Sequence, residues 1–207
     1  MGCSSSKDGF SLAEQYAQTG MQAPWSNQYS NEFEKELFMA TNLFRHNPSK
    51  ICTFIKDLKK LMPKEFKSDS KLINNVCKQM QALKPLQQIT FSDNANAACK
   101  QNNDEIILLD RYNPKQAGKI DYYTKNLSND NSEAQEFTIV TNWTCSVMHL
   151  VAFQLLQFFK DQKKDKKKKD LKYKNDLHPL MCDKLVNIGV SYRGHKKIEN
   201  IIMLQYL

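Results

Sequence analysis

Apolar positions in the first half of the chain recur at helical spacing. Between Asn31 and Phe44, the residues Phe33, Leu37, Ala40, Thr41 and Phe44 fall on one face, with acids near the start. Arg45-His46-Asn47-Pro48 interrupts that period. Ser49–Leu61 repeats it through Ile51, Cys52, Ile55, Leu58 and Leu61 and is stopped by Pro63. Lys71–Leu83 does so again with Leu72, Val76, Met80 and Leu83. Pro85-Leu86 leads to Phe91-Ser92-Asp93, whose hydroxyl and carboxylate suit a helix cap. The helix that follows spans about Asn94–Leu108, with Ala95, Ala98, Cys99 and Asn102 on one side. Asp110–Asn131 is polar and loop-rich, and Glu133–Phe159 reads as helix, broken near Trp143–Val147.

The pattern changes near the end of the chain. Leu185–Tyr192 is rich in β-branched and aromatic residues, and Ile198–Leu207 holds a second apolar run. Arg193-Gly194-His195-Lys196 between them has the chemistry of a turn. Helices first and a closing antiparallel hairpin last predict an α+β fold of one domain over 31–207. Residues 1–30 are expected to be a flexible tether with a short helix around Ser11–Gln18. With 207 residues, 41% of them hydrophobic, there is enough apolar surface for a real core.

Charge is concentrated. The formal +8 includes nine lysines and three aspartates in Lys160–Lys174, so that run contributes +6 and everything else +2. The sequence predicts a lysine-rich insertion at about 160–176. It is either a solvated loop held open by repulsion or an electrostatic contact to an anionic membrane through Lys163, Lys164, Lys166, Lys167, Lys168 and Lys169. It lacks arginine and interleaved aromatics, so no nucleic-acid partner is expected. Six cysteines at wide, irregular spacing form no CxxC pair and read mostly as small buried thiols. The richest apolar patch, Leu150–Phe159, is too short to span a bilayer, and no cleavable signal peptide is visible.

The opening residues, Met1-Gly2-Cys3-Ser4-Ser5-Ser6-Lys7, fit an acylation signal. Loss of Met1 exposes Gly2 for myristoylation, Ser6 stands where the signal wants Ser or Thr, and Cys3 is placed for palmitoylation. One myristoyl chain binds a bilayer marginally, whereas a second chain adds about 0.8 kcal/mol per buried methylene.

Four segments in order resemble the CAP superfamily, the SCP or pathogenesis-related-1-like domain. They are Asn42-Leu43-Phe44-Arg45 with Asn47-Pro48; Pro85-Leu86 and Phe91-Ser92 before Ala95, Ala97 and Ala98; Thr124-Lys125-Asn126-Leu127 with a later Trp143; and Leu185–Tyr192 with Ile201–Tyr206. The resemblance covers roughly 33–207 and implies an α-β-α sandwich. It also implies a cleft where many members place two histidines and two acids around a divalent cation. Carried over by position, those four places hold Asn102, Lys125, Ser146 and His149, so at most His149 is retained. A lysine ammonium has no lone pair for a metal.

Neither metal nor other cofactor is therefore expected, and no catalytic residue. His46, His178 and His195 form no metal-spaced pair and are read as helix-end, surface or loop histidines. The expectation is a non-catalytic domain tethered to the cytosolic face of a plasma, Golgi, endomembrane or ciliary membrane, binding lipid or protein partners. The alternatives are a structural component of a ciliary or cytoskeletal assembly, or a metal-dependent CAP hydrolase.

Overall fold

The computed structural model describes residues 11–21, 24, 29–61, 69–108, 135–141, 146–168, 178–195 and 199–206. Its helices are α1 (Leu12–Gln18), α2 (Glu32–His46), α3 (Ile51–Leu61), α4 (Ser70–Ala82), α5 (Asp93–Leu108) and α6 (Val147–Lys168). Its strands are β1 (Thr90–Phe91), β2 (Gln135–Thr141), β3 (Asn187–His195) and β4 (Glu199–Tyr206). Single 3₁₀ turns lie at Pro48–Lys50 and Pro179–Met181. The fold is α+β.

The strands make one mixed sheet in the order β1-β3-β4-β2. β1 is parallel to β3, with Thr90 opposite Asn187. β3 and β4 are antiparallel, from Ile188 opposite Tyr206 to His195 opposite Glu199. β4 also pairs with β2, Ile139 opposite Ile202. The closing antiparallel hairpin expected from the sequence is therefore corrected in extent: β3 and β4 pair antiparallel but are the middle of a four-stranded sheet. A lone hairpin is marginal in water, and flanking strands satisfy its outer backbone groups. The turn expected at Arg193–Lys196 is corrected too, since Arg193, Gly194 and His195 extend β3. The helix expected over Glu133–Phe159 divides, with strand at Gln135–Thr141 and helix only from Val147.

β3 shows how the layers are set. Side chains alternate across a strand. On one face, Ser191 accepts from Asn103 of α5 at 3.0 Å, and Arg193 pairs with Asp104 of α5 at 3.0 Å. Gly189 lies on that face, where an added Cβ would come within 2.3 Å of the Ala95 carbonyl carbon. On the other face, Tyr192 stacks against Phe33 of α2 with ring centroids 4.9 Å apart, and Ile188 and Val190 are fully buried. Helices thus cover both faces.

α2 is not the one-faced helix its period suggests, because Leu37 to Arg45 are buried without a break. It lies between the sheet and a layer formed by α3, α4 and α6, and such a helix is wrapped on all sides. α3 keeps its expected stripe, with Ile51, Cys52, Ile55 and Leu58 buried. Four free cysteines occur among the described residues: Cys52, Cys77 and Cys99 are buried and Cys182 partly so. Cys52 donates to the Cys77 carbonyl at 3.5 Å and Cys77 to that of Cys52 at 3.9 Å. That contact ties α3 to α4 through protonated thiols.

The stretch expected to be tether is partly docked. Ser11 accepts from the Glu14 N–H at 3.2 Å while the Glu14 carboxylate accepts from the Ser11 N–H at 2.6 Å, a reciprocal cap that starts α1. Gly20 follows the helix at φ +71°, a left-handed conformation that suits glycine. Tyr16 of α1 is 1% exposed, and its hydroxyl accepts from Gln88 at 2.6 Å. Burial pushes the Tyr16 phenol up to about 12, so it stays neutral. The folded domain begins at α1 rather than at residue 31.

Candidate functional site

Two of the four cleft positions meet at the start of α6. The Leu150 N–H bonds the Ser146 carbonyl at 3.1 Å, which makes Ser146 the cap of this helix. The Ser146 hydroxyl lies 3.5 Å from the His149 N–H that it caps and 2.8 Å from His149 Nδ1. The imidazole is half-buried, edge-on to Phe54 of α3 at 5.1 Å between centroids. Its Nε2 is buried and has no hydrogen-bond partner among the described residues. Burial lowers the His149 pKa, with Asp57 opposing weakly, so the ring is neutral at pH 7.

A neutral imidazole beside a serine hydroxyl is the beginning of a nucleophile–base pair. The orienting third group is missing among the described residues: Nδ1 is taken by Ser146 and Nε2 meets no carboxylate. Asp57 pairs with Lys60 at 3.7 Å instead. The same contacts describe a helix cap whose third residue is histidine in place of the usual glutamate. No group of three His, Cys, Asp or Glu side chains placed to hold a metal occurs among the described residues.

The remaining positions are dispersed. Asn102 belongs to α5, which packs on the sheet, whereas α6 packs on α2, α3 and α4. Lys125, Gly2, Cys3 and Lys169 lie outside the described residues. Lys163, Lys164, Lys166, Lys167 and Lys168 stand on the last turns of α6, so that part of the expected lysine-rich loop is corrected to helix. Helix is natural there, because lysine has good helix propensity and the repulsion is interrupted by Asp161 and Asp165. His178, expected at the surface, is fully buried, with Nδ1 accepting from the Leu180 N–H at 3.2 Å. Desolvation lowers its pKa to about 3.

Asn42 and Arg45, prominent in the sequence as part of a motif, form a buried polar centre. The Asn42 amide bonds both backbone groups of Ile89, at 3.0 Å and 2.9 Å. Arg45 is 0% exposed and donates to the carbonyls of Pro179, Gln87 at 3.1 Å, Cys182 at 2.8 Å and Leu185 at 3.4 Å. Glu34 is also 0% exposed and accepts from the N–H groups of Ser30 and Tyr192, each at 2.8 Å. These three side chains fix backbone from segments far apart in sequence. Sequence reasoning missed Glu34, whose only signal is an acid at i and an arginine at i+11 on a helix otherwise apolar at its centre.

No helix among the described residues is long and apolar enough to cross a membrane. Comparison with protein-family models, curated proteins and solved structures gives no match to this chain.

Proposed function

We propose that this chain is a non-catalytic, membrane-tethered α+β domain of the CAP/SCP type that binds lipid or protein partners at the cytosolic face of a membrane. The observation that carries the tether is the acylation signal Met1-Gly2-Cys3 with Ser6, followed by a folded domain whose first capped helix starts only at Leu12. Ten residues extend at most about 35 Å, enough to hold the domain close to a bilayer without burying it. The arrangement of helices on both faces of a mixed sheet is compatible with an α-β-α sandwich. Asn42 and Arg45 at the centre of the fold give that family's Asn-x-x-Arg signature a structural reason here.

The non-catalytic reading rests on the cleft positions. Ser146 caps a helix, the carried-over acid is Lys125, and His149 keeps its outer nitrogen buried. Flotation of N-myristoylated protein with liposomes, beside Gly2→Ala, tests the tether. Wild type floats and Gly2→Ala stays in solution. If both float alike, the acyl anchor is wrong; if neither floats and the protein instead co-purifies in fixed ratio with tubulin or another large assembly, it is a structural component.

A further inference from the structure

The helical layer has one strongly basic end. α3 and α6 run in the same direction: Phe54 and His149, near their starts, are in ring contact. At the other end, Lys59 of α3 bonds the Ser70 hydroxyl at 2.8 Å, and Lys160 of α6 pairs with the adjacent Asp69 at 3.0 Å. The end of α3, the start of α4 and Lys160 therefore meet at one level. α6 continues for eight residues beyond that level, about 12 Å at helical rise. Those residues include Lys163, Lys164, Lys166, Lys167 and Lys168.

α3 adds to this end. Lys56, Lys59 and Lys60 stand at i, i+3 and i+4, all exposed, with Lys56 and Lys60 facing away from the buried stripe of Ile55 and Leu58 and Lys59 at its edge. Leu61, the last residue of α3, is 50% exposed beside them. Taken together, Lys56–Leu61, Asp69–Lys71 and Lys160–Lys168 carry ten lysines against four aspartates. The acids are outnumbered by lysines: among the described residues, Asp57 and Asp69 each pair with one lysine, and Lys60 remains 81% exposed in its pair. The Lys60 ammonium, exposed in its pair, is held only weakly.

We propose that this end of the α3–α6 layer is the face the domain turns to an anionic lipid bilayer, with the α3 lysines and the overhanging turns of α6 acting as one docking surface. The inference rests on the tethered reading and adds an orientation to it. Charge complementarity selects the occupant. Lysines near an anionic leaflet are attracted by about 1 kcal/mol each, and an exposed leucine among them has somewhere to go at the interface. A basic surface on a chain already held at a membrane meets lipid headgroups at high local concentration.

The test compares acylated full-length protein on vesicles of phosphatidylcholine alone and with phosphatidylserine added. The readout is the ratio of the two partition coefficients. Replacing Lys56, Lys59 and Lys60 by glutamine leaves the acyl chain and the core untouched. The expected result is a drop in that ratio of about tenfold or more, at roughly 1 kcal/mol per lysine. Glutamine at Lys163, Lys164 and Lys166 gives a drop of the same order. The proposal is overturned if the α3 variant keeps the full ratio, or if wild type binds both vesicles equally. It is equally overturned if the α3 lysines change affinity for heparin or RNA but not for phosphatidylserine. Failure of the tether itself reads differently, as equal binding of wild type and Gly2→Ala to phosphatidylcholine alone.

Discussion

Arg45 shows how one residue joins distant parts of this chain. Its guanidinium is fully buried, and it donates to the backbone carbonyls of Gln87, Pro179, Cys182 and Leu185. Carbonyls turned inward without a partner cost about 1–3 kcal/mol each. Arg45→Ala is therefore expected to lower unfolding free energy by about 3 kcal/mol or more, read as a shift of the urea midpoint. Arg45→Lys rescues little, because an ammonium cannot reach four carbonyls arranged around a planar fork. His178 makes a second residue-scale prediction. Burial lowers its pKa to about 3, below the ordinary value near 6.5, so the unfolded chain binds a proton that the folded chain refuses. Its contribution is full above pH 6.5 and is lost as pH falls from there towards 3. Between pH 7 and pH 5, wild type should lose on the order of 2 kcal/mol more stability than His178→Gln. Equal losses from the two proteins would show that His178 is not buried neutral.

At the scale of elements, the contact between α5 and β3 depends on a missing side chain. A Cβ at Gly189 would fall 2.3 Å from Ala95 C, 2.5 Å from Ala95 O and 2.5 Å from Asn96 N, all backbone atoms that cannot swing aside. Gly189→Ala is expected to part helix from sheet. That breaks the Asn96 contact with the Val190 N–H and the Asn103 contact with Ser191, and lowers the melting temperature by about 4–12 °C, given roughly 2–3 kcal/mol of strain. Helix boundaries for α2, α3 and α4 were legible because each carries an apolar stripe and a chemical stop, and the start of α5 because Ser92 caps it. β2 was not legible: in Phe137-Thr138-Ile139-Val140-Thr141 the β-branched residues form a short run that length alone does not separate from helix. What makes it a strand is pairing with β4, a contact about sixty to seventy residues away in sequence. The end of β3 was misread for a related reason. Gly194 and the basic residues around it signal a turn locally, while pairing with Asn200 and Glu199 holds them extended. Among the candidate site residues, the nearness of Ser146 to His149 follows from their i, i+3 spacing on a helix. The burial of His178 does not follow from its sequence, since His-Pro reads as a surface turn.

For the molecule as a whole, the proposed tethering would rest on two separable forces, charge and acylation, with different responses to salt. On the proposed tethered reading, a myristoyl group on Gly2 alone would support an association constant of about 10⁴ M⁻¹, and the single-chain form would depend on the lysine-rich end for retention. On the same reading, a palmitoyl group on Cys3 would add a second apolar anchor that ions do not screen. Surface attraction, by contrast, decays over about 10 Å at 0.1 M salt and about 3 Å at 1 M. Cys3→Ser should therefore stay on phosphatidylserine vesicles in dilute buffer and be released by 0.5 M NaCl, whereas doubly acylated wild type should be retained in both. Washing membranes from cells expressing each form, then measuring the fraction pelleted, gives the comparison directly. Retention of Cys3→Ser at high salt would mean that the lysines are not the second signal. Release of wild type at high salt would mean that Cys3 carries no acyl chain, and that the basic end of the α3–α6 layer works with Gly2 alone.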